Sequence, residues 1–397
     1  MGVYEALGVR PVINAAGPVT RMSGHPLHPE VAAAMAEAAQ DCVRIDELLE
    51  AAGRYLAEVT GAEAGYVTSG AAAGLALAAA ACIAGFDVAA MDRLPDTAGL
   101  RDEVVIQRGH LTAYSRAFRL AGARLIEVGY LGYPGQGITW PWQIEAAITE
   151  RTAALAYSVT VTPGTVGLEE VVAIARRHNL PVIVDAASAL PPVDNLRRFV
   201  AAGADLVAFS GGKAIGGPQA SGILVGRADL IESVALQHQD MDVYPQTWSA
   251  SERYLDTGRL AGPPHHGLGR PMKVGKEEIV GLVVALRRFL ALDHEAERRA
   301  QGARLRVIAE AIEGFRGTAC VLDDNPGRPY PILLVRVDEA VLGRSVYDVV
   351  NDLFAGDPPV AVSQNVLDQH SLGIVASTLR PGQELVVAAR LREVLTH

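Results

Sequence analysis

The sequence predicts a doubly wound α/β fold with a mainly parallel sheet, followed by a smaller C-terminal α/β domain. Two observations carry this. Past residue 60, short apolar runs rich in β-formers alternate with amphipathic helical patterns. The runs are unbroken, as expected of strands covered on both faces. After Ser221 the rhythm changes to a long helical stretch and then a second, shorter series of strands and helices.

The expected strands of the first series are 65–68, 103–107, 123–128, 153–158, 181–186 and 204–210, with helices over 71–84, 111–121, 142–149, 168–178 and 196–202 between them. A short strand 222–225 and a helix 228–236 follow. Residues 258–271, GRLAGPPHHGLGRP, read as a Pro/His/Gly-rich loop. The helical pattern from 277 to about 313 reads as one continuous bridge. Beyond it lie a strand 332–337, a helix near 341–353, a strand 374–377 and a helix 383–395. The expected organisation is an N-terminal segment with helices (1–60), a large α/β domain (61–275), and a bridging helix with a small α/β domain (276–397).

The chain of 397 residues carries 35 Lys plus Arg against 45 Asp plus Glu, a formal charge of -10. That acidity, with no basic tract, argues against a nucleic-acid partner. Cys42, Cys82 and Cys320 form no C-x-x-C pair, which excludes a disulfide framework or a zinc ribbon and suits a reducing compartment. The N-terminal residues lack a charged region followed by a long apolar core. The apolar run 71–85 is too short and too rich in Ala and Gly for a membrane span. A soluble cytoplasmic protein, with no membrane partner, is expected.

Three lysines are present in all: Lys213, Lys273 and Lys276. Arg replaces Lys elsewhere, and Arg neither deprotonates nor forms an imine. Amine chemistry therefore has three candidates.

Three segments, each expected at a strand end, carry chemistry. In VTSGAAAGLALAAA (67–80), Ser69 and Gly70 turn the chain into a helix starting near Ala71, so free N–H groups and a hydroxyl can cradle a phosphate. The alternative is close helix–sheet packing of small residues. In PVIVDAAS (181–188), Asp185 follows four apolar residues of a central strand and needs a cationic partner, such as a protonated pyridine nitrogen or a metal. The alternatives are a helix cap or a buried ion pair. In ADLVAFSGGKAIGGPQASGILVG (204–226), a buried strand ends at Ser210, and Gly211 and Gly212 lead into Lys213, whose ammonium form desolvation would disfavour. A phosphate cradle, a pyridinium partner and an imine-forming lysine are together what a protein supplies to pyridoxal 5'-phosphate.

With those residues in hand, the sequence resembles the fold type I pyridoxal-phosphate enzymes (aspartate aminotransferase-like). Within them it is similar to the branch of bacterial selenocysteine synthase and D-glucosaminate-6-phosphate ammonia-lyase. The matching segments are RPVINAAGPVTRMSG (10–24), VTSGAAAG (67–74), VDAASALPPVDNL (184–196), FSGGKAIGGPQASGILVGR (209–227) and GRPMKVGKEEI (269–279).

The resemblance implies that Lys213 is the Schiff-base lysine and proton shuttle, and that Asp185 keeps the pyridine nitrogen protonated. It implies that Ser69, Gly70, Ala71 and Ser210 bind the phosphate, with Ser188 also at the cofactor. His110 would stack on the cofactor ring; its alternative is a helix-start histidine without function. Arg380 would clamp the substrate carboxylate, with Arg21, Lys273 and Lys276 as further substrate contacts. The 269–276 segment would reach the active site of a neighbouring subunit in a homodimer or higher homo-oligomer. Two departures are read from the resemblance: Gly216 occupies a position where the branch commonly has Arg, and no counterpart of the N-terminal tRNA-gripping domain of selenocysteine synthase is expected. Selenium transfer to tRNA is therefore disfavoured, and so is a phosphorylated sugar acid if that Arg serves an anionic group.

The expected function is a pyridoxal-phosphate-dependent lyase acting at Cα and Cβ of a small amino acid or amino sugar acid. The alternatives are a racemase, an epimerase or an aldolase on a β-hydroxy amino acid, or a non-catalytic pyridoxal-phosphate-binding protein. A nicotinamide dehydrogenase is rejected because residues 61–74 lack the G-x-G-x-x-G spacing. No metal is expected: adjacent His265 and His266 diverge in an extended loop, and although His25 and His28 with Asp46 or Glu47 could in principle bind one, a reading without metal is favoured.

Overall fold

The structure, a computed structural model, describes residues 2–132, 137–160 and 162–396. The chain divides into two compact units, Met1–Pro26 with Arg288–His397, and Leu27–Arg287.

The larger unit is built on seven strands: β1 (Ala64–Thr68), β2 (Glu103–Gln107), β3 (Arg124–Val128), β4 (Thr152–Ser158), β5 (Val182–Asp185), β6 (Leu206–Ser210) and β7 (Gly222–Gly226). Their order in the sheet is β1-β7-β6-β5-β4-β2-β3, with β7 antiparallel to both neighbours and the other pairings parallel. The unbroken apolar runs are what such a sheet demands. Leu206, Val207, Ala208 and Phe209 of β6 have no solvent exposure, and full burial of each large side chain contributes roughly 1.5–3 kcal/mol.

The helix Ala71–Ala84 is apolar all round and almost wholly buried. Its Gly74 faces Ala208 and Leu224 of the sheet, so small residues set the close approach. Leu168–Arg177 instead shows one buried stripe of Leu168, Val171, Val172, Ile174 and Ala175. Glu169 and Glu170 in its first turn and Arg176 and Arg177 in its last complement the helix dipole.

Two expected helices are altered. The one over 111–121 contracts to Arg116–Leu120 behind a 3₁₀ turn, Ala113–Ser115, because Thr112 and Ser115 form a reciprocal capping box that starts the structure late. The bridge over 277–313 is two helices, Lys276–Ala291 and His294–Ala311; Asp293 ends the run by accepting a 2.9 Å hydrogen bond from Ala296 N–H and capping the second helix.

In the smaller unit Thr318–Asp323, Ile332–Val337 and Ser371–Ile374 form an antiparallel sheet. The strand expected over 374–377 ends at Ile374, and Ala376–Thr378 is a 3₁₀ turn. Ile13–Ala15 pairs in parallel with Val360–Val362, and Val375 N–H donates to Ala15 at 2.8 Å. That pairing is why the first residues gather with the C-terminal unit rather than with residues up to 60. Among the described residues no helix is long and apolar enough to cross a membrane.

Candidate active site

The site of the larger unit grows from the carboxyl ends of its parallel strands, where ligands of such sheets bind. Ser158, Asp185 and Ala208 stand side by side across β4, β5 and β6; Thr68, Gly222 and Ser210 do so across β1, β7 and β6. The turns after β1, β5 and β6 are thereby brought to one edge.

After β1, Gly70 takes φ 139°, a conformation open to glycine, and the helix Ala71–Ala84 begins with no side chain capping its first N–H groups and no acidic residue in its first turn. A Cβ at Gly222 would lie 2.5 Å from the Gly70 carbonyl carbon and 2.7 Å from Ala71 N. Glycine at 222 is what lets this turn fold against β7. The result is an uncapped, electropositive helix start with Ser69 beside it.

After β6 the chain doubles back: Gly217 N–H donates to Gly211 at 2.9 Å and Gly216 N–H to Lys213 at 3.0 Å. A Cβ at Gly212 would sit 2.6 Å from Gln219 Cα. Gly216 has φ 71°, so an arginine at this position would be strained.

Lys213 leaves this turn half-buried, and its Nζ donates to Ser188 Oγ at 2.6 Å. Burial lowers the pKa of its amine, with Asp185 pulling the other way. Burial likewise raises the Asp185 carboxyl, opposed by the Ala187 N–H at 3.1 Å and by Lys213. Lysine and carboxylate are thus desolvated and electrostatically coupled. The Lys213 Nζ also lies 5.8 Å from the centroid of the Tyr114 ring.

His110 is buried in the 3₁₀ turn after β2. Its ring meets Tyr157 edge-on, with centroids 4.5 Å apart, and its Nδ1 has no partner among the described residues. Burial pushes its pKa down to about 4, so the ring is neutral near pH 7.

The structure joins Ser188 and Lys213 by a hydrogen bond, puts Asp185 close enough to act on the lysine electrostatically, and sets Ser69, Gly70, Ala71 and Ser210 at the same sheet edge. Lys273 is exposed, and Lys276 pairs with Glu277. Arg21 and Arg380 belong to the smaller unit; both are exposed, and Arg21 reaches the Val362 carbonyl at 3.5 Å. Tyr114 and Tyr157 escaped the sequence reading, because neither spacing nor neighbours mark them.

His265 and His266 do diverge, to Asp92 at 2.7 Å and Asp242 at 3.1 Å. Ligand atoms of Asp240, Asp242 and His266 lie within 4.8 Å of one another, all exposed, with Asp240 already paired to Arg270.

The residues present fit pyridoxal phosphate: an uncapped helix start kept open by glycine, a desolvated lysine, a carboxylate in its field, and an unpartnered imidazole nitrogen. Solved structures share the fold. A D-glucosaminate-6-phosphate ammonia-lyase superposes with TM-score 0.82 at 35% identity, covering 100% of this chain and 99% of that one. A serine palmitoyltransferase from S. paucimobilis with bound PLP gives 0.54 at 14%, covering 96% and 87%. A ureidoglycine-glyoxylate aminotransferase from Bacillus subtilis gives 0.57 at 17%, covering 98% and 93%.

Fold and site define a fold type I pyridoxal-phosphate enzyme. The family model of SelA, L-seryl-tRNA selenium transferase, matches residues 12–241, and the chain belongs to that family. Along its whole length it is 36% identical to a D-glucosaminate-6-phosphate ammonia lyase of Salmonella typhimurium, over 98% of that protein. It is also 36% identical to a 5'-C-glycyluridine monooxygenase-decarboxylase of a Streptomyces species, over 99% of this chain and 92% of that one. The chain is a pyridoxal-phosphate-dependent enzyme of this lyase family, as its sequence predicts.

Proposed function

We propose that the enzyme removes ammonia from a small β-hydroxy amino acid or amino sugar acid, with Lys213 as the residue that carries the cofactor. When bound, pyridoxal phosphate supplies an electron sink conjugated to the substrate's Cα. Asp185 would hold the pyridine nitrogen protonated, while Ser69, Gly70, Ala71 and Ser210 would hold the phosphate. His110, kept neutral by burial, would lie beside the ring. The Lys213 amine, its pKa lowered by burial, takes the Cα proton and delivers a proton to the leaving β-hydroxyl. Water lost at Cβ is regained on hydrolysis, so the balance is substrate to 2-keto acid plus ammonia. Arg380 and Arg21 are assigned to the substrate's anionic groups, and Lys273 and Lys276 to further contacts, on resemblance. A cytoplasmic homodimer or larger homo-oligomer with shared sites completes the reading.

The observation that carries it is the half-buried Lys213 Nζ held by Ser188 within the field of Asp185. Absorption spectra of the wild type and Lys213→Ala, each before and after borohydride, test it. A visible band that borohydride removes, and that Lys213→Ala cannot form, is expected. A protein that stays colourless with added pyridoxal phosphate overturns the assignment.

D-Glucosaminate 6-phosphate is the first substrate to try, since a whole-length relative bears its name. Production of keto acid and ammonia from it, or from a D- or L-β-hydroxy amino acid, supports the lyase. An aldehyde with a smaller amino acid means an aldolase, and an inverted isomer a racemase. The equal identity to a monooxygenase-decarboxylase supports a second reading, oxygen-dependent decarboxylation, which oxygen uptake with release of carbon dioxide would establish.

A further inference from the structure

A second buried imidazole packs against β1: that of His238, last residue of the helix Ala228–His238. Its Nδ1 is 2.9 Å from the hydroxyl of Tyr66, a buried residue of β1, and its Nε2 is 3.0 Å from the Met272 carbonyl. A carbonyl only accepts, so Nε2 carries the proton; in the neutral ring Nδ1 then accepts from the Tyr66 hydroxyl. Both ring nitrogens are used, and any rotation of the ring breaks both bonds.

Met272 closes the 3₁₀ turn Arg270–Met272, and Lys273 follows in extended conformation, φ -54° and ψ 146°. The turn docks tightly on the helix end. Gly269 N–H donates to the Gln237 carbonyl at 2.8 Å, and Arg270 pairs with Asp240 at 3.0 Å. A Cβ at Gly267 would fall 2.5 Å from the Gln237 carbonyl oxygen, and one at Gly269 2.8 Å from His238 Cδ2. Two backbone groups of the segment, Gly269 N–H and the Met272 carbonyl, thus bond to the last two residues of the helix, while Arg270 N–H and Met272 N–H close the turn on Gly267 and Gly269. The next residue, Lys273, is exposed with no hydrogen bond or ion pair to any described residue.

We infer that His238, held by Tyr66, is a positioning residue that fixes the turn before Lys273 and so aims this ammonium at an anionic group of the substrate, phosphate or carboxylate. This rests on the reading that Lys273 is a substrate contact. The strand that leads to Ser69 and the turn that presents Lys273 are thereby tied through one ring.

The test uses the full-length enzyme loaded with pyridoxal phosphate. His238→Asn keeps an atom near Nδ1 but cannot reach Met272, whereas His238→Gln places a donor where Nε2 was; Tyr66→Phe removes one hydroxyl and is the gentlest variant should the others fold poorly. Hydrogen exchange of the peptide spanning 267–275 should quicken about tenfold in His238→Asn, return towards wild type in His238→Gln, and quicken less in Tyr66→Phe. With D-glucosaminate 6-phosphate as probe, His238→Asn should raise KM about five- to tenfold with kcat within about twofold, and should add nothing further in a Lys273→Ala background.

Wild-type exchange in both His238→Asn and Tyr66→Phe overturns the inference, as does a KM effect fully additive with Lys273→Ala. An unchanged KM in Lys273→Ala alone removes the substrate contact and the aiming role with it, while the exchange data still decide separately whether His238 holds the turn.

Discussion

The Nζ of Lys213 donates to Ser188 Oγ at 2.6 Å, although the two residues stand on turns following different, neighbouring strands. The bond orients the amine without neutralising it, since a hydroxyl carries no charge. Replacing Ser188 by Ala leaves the lysine desolvated and unheld. Ser188→Ala should lower kcat about tenfold with little change in thermal stability; an unaltered kcat would remove Ser188 from the site.

Asp185 raises the pKa of Lys213 against the larger effect of burial. Without that charge the ammonium form loses support, so the amine must deprotonate at lower pH. In cofactor-free Asp185→Asn, the midpoint for modification of Lys213 by an amine reagent should shift down relative to wild type. In the loaded enzyme the same change should cost at least about a hundredfold in kcat. A midpoint that stays put would mean that the two groups are not coupled.

His110 has its pKa lowered by burial from 6.5 to about 4. The unfolded chain binds a proton at this residue below about pH 6.5, which the folded chain refuses until about pH 4. Stability is therefore complete above pH 6.5 and falls as the pH drops towards 4, by about 3 kcal/mol from this group. His110→Phe should flatten that part of the curve. Parallel urea titrations of the two proteins from pH 7 to pH 4 measure the difference, and superimposable curves would refute it.

Gly70 and Gly222 are needed for different reasons, and their alanine variants should separate. At Gly222 the obstacle is contact, since an added Cβ meets the Gly70–Ala71 backbone at 2.5 and 2.7 Å. At Gly70 nothing lies within 4 Å, and the obstacle is φ 139° alone. Gly70→Ala should cost on the order of 1–2 kcal/mol of stability. Gly222→Ala should displace the helix start and weaken pyridoxal phosphate about tenfold or more, read by equilibrium dialysis. Equal cofactor affinities in the two variants would contradict the cradle.

What was legible in the sequence was whatever local pattern encodes. The strands of the large sheet announce themselves as apolar runs, and Lys213 as the one lysine in the first 270 residues. Asp185 could be read from four apolar residues before it. The helix expected over 111–121 failed because the Thr112–Ser115 capping box is a side-chain event that hydrophobic period does not register. The bridge over 277–313 failed at Asp293 for the same reason. Contacts between distant segments were beyond reach: the Ser188–Lys213 bond, the edge-on meeting of His110 with Tyr157, and Lys213 beside Tyr114 depend on how strands are ordered, which no window of sequence contains.

The parallel pairing of Ile13–Ala15 with Val360–Val362 sets a schedule for synthesis. The first strand emerges from the ribosome about 345 residues before its partner, a delay on the order of half a minute at roughly 5–20 residues per second. The segment Leu27–Arg287 is complete well before then. The N-terminal strand must therefore wait without its partner until Val360–Val362 has been made, so slowed translation of the codons between Arg287 and Val360 should lengthen its exposure to proteases and chaperones.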